Sequence, residues 1–136
     1  MIMAIKFAKG SNKCKNKKAT VDGIEFMSRK EAKRYIELKA LEVQGKISNL
    51  ELQKVYELIP AQREPNIVGK RGGIQKGKLI EHSCVYIADF VYVNSAGETI
   101  VEDVKGFRAP GSATYAKFVI KRKLMLAKYG IRIREV

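Results

Sequence analysis

Histidine occurs once in this 136-residue chain, cysteine twice and proline three times. The lone histidine, His82, leaves histidine-based metal chemistry without the ligands it normally requires. Cys14 and Cys84 match no zinc or redox spacing and read as reduced thiols of a cytosolic protein. No apolar run approaches the roughly 20 residues that a membrane span needs, and Lys6 interrupts the short apolar start too early for a signal peptide. The glycines from Gly69 to Gly77 lack the G-x-x-x-x-G-K-[ST] order of a phosphate-binding loop. Acid is scarce: 14 Asp and Glu stand against 27 Lys and Arg, a net charge of +13. These absences leave a soluble, cytoplasmic, single-domain protein, long enough to build its own core. So large a positive excess costs self-repulsion and points to a polyanionic partner.

The charge is unevenly placed. Residues 1–18 hold six lysines and no acid, and read as a basic flexible N-terminal arm in which Lys13, Lys15, Lys17 and Lys18 are candidate phosphate contacts. Residues 62–78 carry Arg63, Lys70, Arg71, Lys76 and Lys78 against Glu64, and with Pro65 and four glycines read as a basic Gly-rich loop. Residues 19–61 balance, so the two segments hold ten of the thirteen excess charges. Mobile basic arms on a nearly neutral body suit salt-dependent, sequence-independent contact with DNA phosphates. A solubilising tail and a loose hairpin are the plainer alternative.

The periodicities give an element order. Ser28 and Glu31 form an S-x-x-E capping box ahead of a helix running to about Val43, with Gly45 as its stop. Leu50–Ile59 alternates as a strand ended by Pro60, and Val85–Val93 is a β-branched and aromatic strand interrupted by Asp89. Asn94–Gly97 is a turn into a further strand, Glu98–Lys105. Thr114–Lys128 reads as a second helix capped by Gly130, and Ile131–Val136 as a short last strand. The order αβββαβ predicts an α/β domain, residues 19–136, with a central mixed sheet flanked by helices.

Asp89 is the anomaly in that pattern, because an acid among Ile87, Ala88, Phe90 and Val91 is costly unless paired or bound to a metal. Asp103 and Lys105 flank Val104, so in a strand they share a face roughly 6.6 Å apart, with Glu102 opposite, solvent-exposed or paired. If the two strands pair across Asn94–Gly97, Asp89 and Asp103 converge, and two carboxylates suit Mg²⁺ or Mn²⁺ better than zinc. Tyr86 and Tyr92 alternate on the face opposite Asp89 and read as packing residues. Lys117, Lys121 and Lys128 share one face of the second helix, by default a solvated basic stripe.

Ala88-Asp89 with Asp103-Val104-Lys105 on a β-hairpin resembles the active site of the PD-(D/E)XK nuclease superfamily. Ala88 stands where the motif's name has proline, and Asp103 is one methylene shorter than the commoner Glu. The segments Val21-Asp22-Gly23-Ile24, Ser28-x-x-Glu31-Ala32, Val101–Gly106 and Lys128-Tyr129-Gly130 also look like a family of small phage proteins placed in that superfamily, some of whose relatives are Holliday junction resolvases. The resemblance implies a restriction-endonuclease-like core and a divalent-metal-dependent DNA endonuclease, with Mg²⁺ as cofactor and Mn²⁺ as substitute. It implies Asp89, Asp103, the backbone carbonyl of Val104 and Glu31 as metal ligands, Lys105 as the group that orients water or stabilises phosphate charge, and Gln53 as a neighbour of the site. Arg108, just past the motif, becomes a further phosphate contact. Four-way or other branched DNA is the substrate by analogy. A homodimer follows from the two symmetric cuts a resolvase makes, in the host-cell cytoplasm if the gene is a phage's. Two alternatives stay open: a nuclease of nicked, flapped or duplex DNA, and a non-catalytic basic nucleic-acid-binding protein. For the residues themselves the plain readings are a strand-end Asp89 in a turn or a buried Asp89–Lys105 ion pair, an exposed Asp103–Lys105 pair, a purely capping Glu31 and a surface Gln53.

Overall fold

The computed structural model describes residues 6–7, 17–105 and 111–136. Helix α1 (Arg29–Val43) starts where extended Ser28 turns its Oγ to the Glu31 N–H at 3.1 Å, the capping box expected there. Helix α2 (Ala113–Tyr129) is capped in the same way by Ser112 and closes on Gly130 at φ +67°, whose N–H reaches the Leu126 carbonyl at 3.0 Å. Neither helix is long and apolar enough to cross a membrane.

Eleven short and long strands accompany them among the described residues. Before α1, β1 (Lys6–Phe7) pairs antiparallel with β2 (Ala19–Val21), which turns through Asp22-Gly23 into β3 (Ile24–Phe26). Both turn residues have positive φ, +52° and +76°, the geometry that makes Asp-Gly a hairpin signal. The αβββαβ reading omits this hairpin. Of the expected N-terminal arm, Lys6–Phe7 pairs with Ala19 and Thr20, and residues 1–5 and 8–16 lie outside the described residues.

The central sheet contains β4 (Ser48–Ile59), β9 (Cys84–Val93), β10 (Thr99–Asp103) and β11 (Arg134–Glu135), in the order β11-β10-β9-β4. Only the β10–β11 pairing is parallel, so the sheet is mixed, as the sequence predicts. Residues 62–78 are not a bare loop. β5 (Gln62–Arg63) pairs with β8 (Leu79–Glu81), and beyond them β6 (Ile67–Val68) pairs with β7 (Ile74–Gln75), a two-storey ribbon.

Two apolar clusters sandwich the sheet. One packs Ala32, Tyr35 and Leu38 of α1 on Val21, Phe26, Phe90, Tyr92 and Val104; the other packs Phe118 and Met125 of α2 on Tyr56, Tyr86, Ala88, Val91 and Val101. In a regular strand, positions two apart stay on one face. Here Phe90 and Tyr92 join the α1 cluster while Ala88 and Tyr86 join the α2 cluster, and in β4 Leu52 and Tyr56 divide the same way. Both strands therefore change face on the rung between the Leu52–Phe90 and Lys54–Ala88 pairs, where Gln53 and Asp89 stand. Gln53 has φ +52°, a left-handed conformation that supplies the extra rotation. The expectation that Tyr86 and Tyr92 share a face is thus overturned.

Candidate active site

The face change leaves Asp89 half-buried between two clusters, with both carboxylate oxygens engaged. Oδ2 accepts the Val104 N–H at 2.8 Å and Oδ1 accepts the Gln53 side-chain N–H at 3.2 Å. The first bond explains why β10 ends at Asp103 and not at Lys105: the carboxylate takes the place a β9 carbonyl would hold in the ladder. Gln53, whose strained backbone makes the rung irregular, thereby reaches the acid itself.

Asp103 is buried on the next strand. Its Oδ1 accepts the Tyr86 hydroxyl at 3.1 Å. Oδ2 is shielded from solvent, and among the described residues the Lys105 ammonium lies against it as its ion-pair partner. That ammonium also stands 3.4 Å from the centroid of the Phe118 ring, held between a carboxylate and an aromatic face. The shared face expected for Asp103 and Lys105 is the observed one, but the pair is buried at the acid end, not exposed.

Glu31 comes to this place from the first turn of α1. Burial pushes its carboxyl above the ordinary value, and the charges of Asp89 and, more weakly, Asp103 push it further, against hydrogen bonds from Ser28 and Met27. Burial likewise raises Asp89, partly offset by the Val104 N–H and reinforced by the charge of Asp103. The three acids therefore lie within each other's fields, and the capping role of Glu31 coexists with that placement.

Asp89, Asp103 and Glu31 are hard oxygen donors of the kind Mg²⁺ prefers. Among the described residues no three His, Cys, Asp or Glu side chains are gathered tightly enough to hold an ion unaided. Mg²⁺ is usually bound through one or two carboxylates plus waters and substrate phosphate. Asp103 Oδ2, shielded from solvent, has the Lys105 ammonium as its counter-ion. The donor set fits the cation.

Glu102 faces away from Asp103, and of the two states expected for it the structure selects the paired one. It is fully buried, receiving Arg34 Nη2 at 2.6 Å, Arg34 Nε at 2.9 Å and the Tyr92 hydroxyl at 2.7 Å. Burial alone would raise its carboxyl, but the Arg34 and Tyr92 hydrogen bonds outweigh it and hold the group below its ordinary value. Sequence reasoning reads Tyr86 only as packing and passes over Arg34 and Lys30, whose ammonium donates to the Lys105 carbonyl at 2.6 Å. Arg34 and Lys30 have a legible signal, lying three residues after and one before Glu31; Tyr86 has none, because its partner depends on the face change.

The predicted phosphate contacts divide. Lys17, Lys18, Lys70, Arg71, Lys76 and Lys78 are exposed, Lys18 being paired with Glu25 at 2.8 Å. Lys13, Lys15 and Arg108 lie outside the described residues, as does Cys14. On α2, Lys128 is not part of a bare stripe: it donates to the Glu57 carbonyl at 2.8 Å, beside the Tyr129 hydroxyl at 2.7 Å.

A family model described as "Protein of unknown function (DUF1064)" matches residues 11–134. No curated protein and no solved structure matches the chain.

Proposed function

We propose that this chain, which belongs to the DUF1064 family, is a divalent-metal-dependent DNA endonuclease that hydrolyses phosphodiester bonds, with branched DNA as its substrate and Mg²⁺ as its cofactor. One observation carries the reading: on adjacent strands Asp89 and Asp103 stand at a deliberate break in sheet geometry, with Lys105 against Asp103 and Glu31 close enough to feel both charges. Phosphate binding alone gives no reason for acids there, since they repel the DNA backbone. The arrangement also supports the PD-(D/E)XK likeness of the motif.

Asp89 and Asp103 would hold the ion, with Glu31 and the Val104 carbonyl as further oxygen donors. Once bound, a divalent cation withdraws charge from a phosphate and eases deprotonation of water. The chain's own residues supply the rest. Tyr86 fixes the Asp103 rotamer, and Val104 N–H and Gln53 fix Asp89. Lys105, partly shielded between Asp103 and Phe118, presents its charge to the negative charge that develops on the phosphate. Lys30, exposed on the first turn of α1, adds a second cation beside the acids and lowers the repulsion that incoming DNA would meet.

The test is an end-labelled four-way junction, its matched duplex and a single strand, each incubated with Mg²⁺, Mn²⁺ or EDTA. Wild-type protein is expected to make paired, metal-dependent cuts near the branch point. Asp103→Asn should lose on the order of a thousandfold in rate while binding the junction in EDTA as before. Cutting of every substrate alike retains the site and discards branch preference; binding without cutting under any metal refutes the enzyme.

A further inference from the structure

The ribbon of residues 62–81 is built with more care than a solvent loop requires. Its neck is stapled: Glu64 N–H bonds to the Lys78 carbonyl at 2.8 Å, Arg63 to the Gly77 carbonyl at 3.1 Å, and Gly77 N–H to the Asn66 side chain at 3.2 Å. Gly77 is buried there, and a Cβ on it would overlap the Glu64 carbonyl. Its tip is closed by Gly72 N–H to the Gly69 carbonyl at 2.9 Å and Gly69 N–H to the Gly73 carbonyl at 2.7 Å, which leaves Lys70 and Arg71 at the apex. Directly below them Val68 and Ile74 form a cross-strand pair that is 75% and 78% exposed, and Ile67 on the same storey is 60% exposed. An ordered arm with bare β-branched side chains at its end is placed to meet a partner.

Charge selects the partner. Lys70, Arg71, Lys76 and Lys78 follow the two apolar positions closely in sequence on the same short arm, so a second copy of the arm would be repelled and a polyanion attracted. A two-stranded ribbon also has the width that a DNA groove admits. We infer that the arm of residues 62–81 is a DNA-entering ribbon: Lys70 and Arg71 grip phosphates while Val68 and Ile74 pack on bases that a branch or kink has unstacked. Small apolar wedges at opened base steps favour distorted over regular duplex. The inference deepens the nuclease reading and rests on it for the branched substrate, but the binding surface is separate from the carboxylate site.

Binding is measured with the full-length chain in EDTA, so that no cleavage enters the readout. The probes are a four-way junction and matched duplex, each with 2-aminopurine at the branch point or its equivalent. Wild-type protein should prefer the junction and brighten the 2-aminopurine. Val68→Ser with Ile74→Ser, at surface positions whose folding is verified by circular dichroism, should lower the junction-over-duplex preference about tenfold and abolish the brightening. Lys70→Ala with Arg71→Ala should weaken both complexes alike and reduce the salt slope by about 2. Full junction preference in the serine variant overturns the inference, as does a fall in its oligomeric state by sedimentation, which would make the tip a protein contact. Loss of junction preference in that variant, with a wild-type protein that cuts nothing in Mg²⁺, sinks the nuclease and leaves the arm standing.

Discussion

Asp89 carries a carboxylate where the flanking Ala88 and Phe90 are buried against different helices, and burial raises its proton affinity above the usual carboxylate range. A carboxyl whose folded value is raised favours the native state while protonated; that contribution is present below its unfolded value and is lost as pH rises through the folded one. The metal-free protein therefore gives up stability at Asp89, and at Glu31 for the same reason, between acid and neutral pH. Asp89→Asn, which keeps an oxygen for the Val104 N–H, should raise the melting temperature of the metal-free protein at pH 7. The gain should vanish below the ordinary carboxylate range, and thermal melts across pH check both. A lower melting temperature at every pH would show that Gln53 and Val104 fully satisfy the charge.

At the scale of elements, a buried carboxylate on β10 pairs with Arg34 and adds to the apolar packing that holds α1 on the sheet. Arg34 grips Glu102 three residues beyond Glu31, so the bond that docks the helix also sets how far its first turn leans toward Asp89. Glu102 is held below its ordinary value, so its contribution is present above the unfolded carboxylate value and disappears as pH falls through the folded one. Glu102→Gln should destabilise by about 3 kcal/mol near neutrality, because Arg34 loses its fork of acceptors, and by less in acid; denaturant titrations at two pH values measure the difference. The ribbon invites a separate test. Gly77→Ala forces the neck apart at Glu64, so limited proteolysis should open residues 62–81 while the melting of the body moves little, its two cores being composed of other residues. A body that melts many degrees lower would make the ribbon part of the folding unit.

For the whole molecule, the nuclease proposal requires two sites related by a two-fold axis to make paired cuts. Sedimentation at micromolar concentration should find a dimer, and a strict monomer would leave nicking as the activity. The sequence alone determined the helices, the Ser28 capping box and the glycine stops, the strand–turn–strand hairpin and the three-residue acid–lysine motif, because these rest on local periodicity, capping chemistry and alternation. It also placed the excess charge, since charge adds up whatever the fold. The missed hairpin at Asp22-Gly23 was legible in the same local terms. Glu102 and Tyr86 were not: their partners come from other elements, and which face each meets depends on the reversal at Gln53 and Asp89. A left-handed glutamine leaves no mark in a hydrophobicity pattern, yet it turns one strand's even positions toward two different helices. Only tertiary structure could decide where those side chains point, because the two clusters that hold them are assembled from residues far apart in the chain.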